Sequence, residues 1–299
     1  MREMRLEDVI EGNCYHVCTD GQESPIIMKD VEDYRTAHNY LAISAWKCGI
    51  TILAYCIMSN HIHVAVICRY RETAERFIRM FKRLYSLYLN RKYGSRQQLH
   101  GTADSISLID SMQYLKNCIA YILRNPVCAK ICGKVEDYRW SSHTCYFNRG
   151  KDTSKPVSQF SIRNLRKILM TRADLSDCPF HINQEGYIAD SSFVRNDIVE
   201  KIFQNSGRAF LFYLGTCNDA KMEYDMACKP LLRVNDTELS GIAESLASSR
   251  FNGKSISELS TQSRCSLIKN LFFNNKTSIP QLSRILGIPR ELVSKILRS

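Results

Sequence analysis

Residues 13 to 19 read NCYHVCT, a short β-rich run that predicts a first strand. In DVEDYRTAHNYLAISAWKCG, Tyr34, Ala37, His38, Leu41, Ala45 and Trp46 recur at helical spacing, and Gly49 ends the pattern. ITILAYCIMS and HIHVAVICR then form two β-rich runs divided by Ser59-Asn60, a turn signal. From Arg71 to Tyr93 a second helix carries Phe77, Met80, Phe81, Leu84, Leu87 and Tyr88 on one side. A polar linker, GSRQQLHGTADS, follows. A third helix is predicted from about Ile106 to Leu123, stopping at Asn125-Pro126 because the residue before a proline disfavours the α region. The order β-α-β-β-α and a further helix predicts an α+β domain, a small antiparallel sheet with helices on one face.

The polar stretch NRGKDTSKPVSQF marks a boundary near residue 148. Three regions are therefore expected: a first domain over 1–148, a helical connecting region over 149–235 and a terminal region over 236–299. At the end, SIPQLSRILGIPRELVSKILRS predicts two short helices around Gly287. Ile279, Leu282, Ile285 and Leu286 fit the first, and Leu292, Val293, Ile296 and Leu297 the second. Helix, glycine turn and helix is the pattern of a helix-turn-helix DNA reader, which would present Arg290, Lys295 and Arg298 to the groove or to phosphates. A plain helical bundle fits the same spacing.

Charge changes the picture. Over 299 residues the formal net charge is +11, which favours a polyanionic partner, most simply nucleic acid. The second helix concentrates it, with Arg76, Arg79, Lys82 and Arg83 among interleaved tyrosines 85, 88 and 93. Cations for phosphates and rings for bases are what a single-strand site combines; a solvated face with core tyrosines is the competing explanation. The 13 cysteines are scattered and form no recognisable zinc set. They fit reduced thiols and a cytoplasmic, nucleoid-associated location. No secretory signal is visible at the start, and no apolar run is long enough for a membrane helix.

Two stretches carry candidate chemistry. In MSNHIHVAV, His61 and His63 stand at i and i+2, so a strand projects both imidazoles from one face. In YILRNPVCAK, Tyr121 and Asn125 lie one helical turn apart. A phenol near a divalent metal can attack a phosphodiester, and an amide oxygen is a hard ligand suited to Mg²⁺ or Mn²⁺. Taken singly, a packing tyrosine and a helix cap before Pro126 are the better explanations of these two residues.

Taken in order, AYCIMSNHIHVAV, YILRNPVCAKI and DYRWSSHTCY resemble the HUH-type tyrosine transposases, specifically their REP-associated branch, over roughly residues 10 to 147. The resemblance implies a ferredoxin-like (RRM-like) domain in which His61 and His63 bind a divalent metal, Mg or Mn. It implies Tyr121 as the nucleophile and Asn125 as the third metal-site residue. The implied activity is metal-dependent cutting and joining of single-stranded or hairpin DNA through a 5′-phosphotyrosine. Duplex DNA would be held by the terminal helices, in a protein expected to be monomeric rather than a homodimer and free of membrane partners. Tyr85, Tyr88 and Tyr114 are the rival nucleophiles. One departure stands out. The segment QLHGTADSISLID keeps Gly101 but lacks the arginine that the branch carries there, and His100 reads as an exposed loop residue. That departure motivates an alternative, a catalytically inactive transposase relative acting as a DNA-binding regulator.

Overall fold

The computed structural model describes residues 5–19, 26–94, 104–148, 150, 153–216, 236–250, 256–275, 277 and 279–298. Its chain divides into two compact units, Met1–Met222 and Glu223–Ser299. The segment beyond residue 148 that the sequence sets apart lies, as far as Met222, in the first unit. Among the described residues no helix is long and apolar enough to cross a membrane.

The first unit begins with β1 (Asn13–Thr19), α1 (Val31–Cys48), β2 (Thr51–Ile57), β3 (Ile62–Cys68) and α2 (Arg71–Tyr93). Asp30 caps α1, its carboxylate accepting from the Asp33 amide, and Gly49 closes the helix in the left-handed region at φ 68°, where a side chain would be strained. Next come β4 (Asp104–Ile109) and α3 (Met112–Cys128). The strands form one antiparallel sheet in the order β2-β3-β1-β4.

The third predicted helix differs from expectation at both ends. From Ile106 to Ile109 the chain is a strand, because Ser105-Ile106-Ser107 alternates and β1 offers an edge, with His16 opposite Ser107. The helix starts only after Ser111, whose hydroxyl accepts from the Tyr114 amide. It also does not stop at Asn125. Pro126 lies inside α3, in its last turn, where a missing N–H forfeits one helical bond. The amides of Ala129 and Ile131 still reach the carbonyls of Asn125 and Pro126 at 2.8 and 2.9 Å.

Opposed residues share a face in an antiparallel pair. Cys18 and Cys56 both lie opposite His63, and Tyr55 lies opposite Val64. The ring of His38 on α1 packs edge-on against Tyr55 at 5.6 Å, so α1 and the α2 packed on it cover the Val64 face. Helix α3 covers the other, histidine-bearing face, where Tyr121 meets His63. Helices therefore lie on both faces, not on one as the element order suggested, and every residue of β3 is buried.

After α3 the chain adds β5 (Lys155–Pro156), α4 (Ile162–Ile168), β6 (His181–Ile182), α5 (Asn196–Ile202) and α6 (Gly207–Thr216). The connecting region thus holds a small two-stranded sheet as well as helices. It closes the outer edge of β2: Val194 bridges Ile52, and the Arg195 amide donates to the Ile52 carbonyl at 2.9 Å. Trp140 is buried and stacks on Tyr34 with centroids 5.2 Å apart, which makes it a packing residue.

The second unit has α7 (Asp236–Arg250), α8 (Thr261–Asn275), α9 (Ile279–Leu286) and α10 (Arg290–Arg298). Leu239, Ala243, Leu267, Leu271, Leu282 and Val293 meet in its core. Gly287 turns the chain between α9 and α10 at φ 62°, and the Ile288 amide donates back to the Ser283 carbonyl at 3.1 Å.

Candidate metal and nucleophile site

His63 projects from β3 onto the face that α3 covers, and His61, the residue just ahead of β3, sets its ring edge-on to it with centroids 4.8 Å apart; burial removes both from water, at 3% and 4% exposed. Their Nε2 atoms face each other at 3.1 Å. The carboxamide oxygen of Asn60 accepts from Nδ1 of His61 at 2.7 Å, which leaves the lone pair of that ring on Nε2. Two imidazole nitrogens, each about 2.1 Å from one ion at cis or tetrahedral angles, would stand about 3.0–3.4 Å apart.

Helix α3 brings two further groups. The Tyr121 ring lies edge-on to His63, with centroids 5.4 Å apart, and to His16 at 6.0 Å. One turn on, Asn125 is buried and its Nδ2 donates to the Tyr121 carbonyl at 3.2 Å. Its Oδ1 is buried and has no hydrogen-bond partner among the described residues. A buried amide oxygen in that condition costs about 1–3 kcal/mol unless something binds it. Imidazole nitrogens and an amide oxygen are donor types that a divalent cation accepts, so His61, His63 and Asn125 are the residues here that could hold one. Burial, then the neighbouring His61 and His16, hold His63 well below its ordinary range, so the ring stays neutral, the form that ligates a metal.

Sequence reasoning passed over two neighbours. His16 Nε2 lies 3.1 Å from His63 Nδ1, with the rings stacked within 9° of parallel, and burial pushes His16 down to about 4. Donor atoms of His16, Cys18 and His63 all lie within 4.8 Å of one another. The alternation His16-x-Cys18 on a predicted strand was the available signal; the register that sets Cys18 opposite His63 was not.

The rival tyrosines of α2 belong elsewhere. Tyr85 and Tyr88 are buried, Tyr85 donating to the carbonyl of Ile27 just ahead of α1 and Tyr88 to Asp33 in its first turn. Burial is the largest cause pushing both phenols up. Tyr93 also donates to Asp33. The tyrosines of the basic helix are therefore core and network residues on the far face, not base-stacking rings.

Lys82 requires a similar correction. It is 4% exposed and its ammonium sits 3.0 Å from Asp104, so it neutralises a strand carboxylate and does not meet a phosphate. The reason is its place on α2: one residue away, Arg83 is exposed, as are Arg76 and Arg79, and positions 76, 79 and 83 share one face. That stripe lies on the opposite side of the sheet from His63. In the second unit Arg290 and Lys295 are exposed. The Arg298 side chain lies outside the described residues, as do His100 and Gly101.

Comparison with known proteins gives a family match over residues 14–122, to the family described as Transposase IS200 like. No curated protein matches the chain. Among solved structures, a REP-associated tyrosine transposase bound to a REP hairpin is similar at 15% identity and a TM-score of 0.36. The likeness covers 50% of this chain and 87% of that one.

Proposed function

We propose that the IS200-like transposase domain formed by residues 14–122 is a metal-dependent single-strand DNA endonuclease and strand transferase of the REP-associated HUH branch. The single observation that carries this is the Tyr121 ring packed against His63, whose Nε2 faces His61 across 3.1 Å. A nucleophile and a cation-binding pair on one buried face are what phosphodiester cutting needs. The strand order β2-β3-β1-β4 with its β-α-β-β-α-β connectivity supports naming the domain ferredoxin-like.

In this reading His61, His63 and Asn125 hold the ion, Mg²⁺ or Mn²⁺. Bound there, it would polarise a non-bridging phosphate oxygen and offset the charge of the transition state. The phenolic oxygen of Tyr121 attacks phosphorus and forms a phosphotyrosine with the 5′ side. The bond to the 3′-oxygen breaks, and that oxygen leaves with a proton as a 3′-hydroxyl. Because the phosphoester bond is exchanged and not hydrolysed, a 3′-hydroxyl can attack in turn and rejoin strands. Asn60 holds the His61 ring in place, and burial keeps water from competing with the incoming hydroxyl. A hairpin-forming substrate follows from the sequence resemblance.

The test is direct. The full-length protein, mixed with a labelled hairpin oligonucleotide and Mn²⁺, is expected to yield a denaturation-resistant protein–DNA adduct, and EDTA to abolish it. A persistent failure to form adduct with any divalent metal, alongside intact duplex binding, would return the chain to the inactive-regulator alternative.

Affinity for DNA is assigned to the exposed Arg76, Arg79 and Arg83 stripe, and to Arg290 and Lys295 in a helix-turn-helix built from α9, Gly287 and α10. Replacing Arg79 and Arg83 with alanine should weaken hairpin binding at low salt. It should also flatten the slope of log affinity against log salt by about 0.7–0.9 per lost phosphate contact. Lys82→Met should leave that slope unchanged, since Lys82 is buried on Asp104. Salt titration of binding by fluorescence anisotropy separates the two outcomes.

A further inference from the structure

The metal and nucleophile assignments leave His16 without a part, yet it is 1% exposed in the middle of β1 and its Nε2 lies 3.1 Å from Nδ1 of His63. Two neutral imidazole nitrogens at that distance share one hydrogen, so one donates and the other accepts. A neutral ring carries a single N–H. If the lone pair of His63 is to sit on Nε2, facing His61, its hydrogen must sit on Nδ1, and His16 Nε2 must be the acceptor.

We propose that His16 is a positioning residue that accepts the Nδ1–H of His63 and so fixes the tautomer and ring direction with which His63 meets a divalent ion. The proposal rests on the assignment of His63 as a ligand. His16 then does for His63 what Asn60 does for His61, whose Nδ1 it engages at 2.7 Å. Both rings thereby turn Nε2 inward, which is the arrangement at 3.1 Å. Metal-binding histidines depend on such partners on their second nitrogen. Both His16 and His63 are buried, so bulk water is not at hand to replace the acceptor. The nearby thiol of Cys18 completes a compact group with the same two histidines.

The full chain with ¹⁵N-labelled histidine, in excess diamagnetic Mg²⁺ so that an ion and not a hydrogen lies between the facing Nε2 atoms of His61 and His63, tests this by long-range ¹H–¹⁵N correlation of the rings. The wild type should show His63 protonated on Nδ1 and bare on Nε2. His16→Phe should give mixed tautomers at His63 and weaken Mn²⁺ binding, followed by electron paramagnetic resonance, by about 10–100-fold. His16→Gln, whose amide oxygen can accept at the same place, should recover most of the affinity and the single tautomer. Thermal unfolding of both variants runs in parallel, so that a loss caused by a damaged fold would track the melting temperature and not the acceptor. A His63 protonated on Nε2 in the wild type overturns the proposal. So does an unchanged tautomer and affinity in His16→Phe, or a glutamine variant as weak as the phenylalanine one at equal melting temperature. A wild type with Nδ1–H at His63 but no Mn²⁺ binding separates the two ideas: the His16 bond exists, the metal assignment fails, and the positioning role of His16 falls with it.

Discussion

Tyr121→Phe is expected to leave no covalent protein–DNA adduct and to lower hairpin cleavage by about 10⁴-fold or more, the scale of deleting a nucleophile. The substitution removes one oxygen and keeps the ring, so the edge-on packing against His63 and His16 is retained. Mn²⁺ affinity and hairpin affinity should therefore stay near wild type, and only bond formation to phosphorus should fail. Denaturing gels of Tyr121→Phe beside Tyr114→Phe make the comparison. Tyr114 lies two turns earlier on α3, the one rival on the same helix. Adduct that persists in Tyr121→Phe but disappears in Tyr114→Phe would reassign the nucleophile. Tyr85 and Tyr88 are poor rivals on physical grounds. Both are buried on the α1 side of the sheet with their hydroxyls engaged, and burial disfavours their ionised forms.

Asp190→Ala should destabilise the first unit by about 2–4 kcal/mol. One carboxylate oxygen of Asp190 takes two buried partners: Nε2 of His38 at 2.8 Å and the hydroxyl of Tyr55 at 2.6 Å. His38 and Tyr55 are each 1% exposed. Truncating the acid strands both donors away from water, and each stranded group costs about 1–3 kcal/mol. The same clasp joins the connecting region to α1 and β2, so its loss also loosens the cover on the edge of the sheet. A drop in melting temperature of roughly 5–15 °C is expected for a unit of this size. Asp190→Asn keeps an acceptor and should lose roughly half as much. Thermal unfolding followed by circular dichroism reads both, and a Tm for Asp190→Ala within a degree of wild type would refute the clasp.

What the chain shows locally and what it shows only when folded divide along a physical line. Periodicity alone located α1, α2, both central strands and the helix pair at the end, because apolar spacing reports which face an element buries. It also put His61 beside His63 and Tyr121 beside Asn125, since those pairs are two and four residues apart and strand and helix geometry set their faces. It did not report which partner each face meets. Strand β4 formed because β1 left an edge for it, which a weak helical pattern could not reveal. Lys82 looked like its neighbours Arg79 and Arg83, and only the approach of Asp104, 22 residues away, turned it inward. His16 reaches His63 across 47 residues through the register of β1 on β3, and Asp190 reaches His38 across 152. Short-range geometry writes motifs into the sequence, whereas pairing across the fold depends on packing and register, which no local window contains.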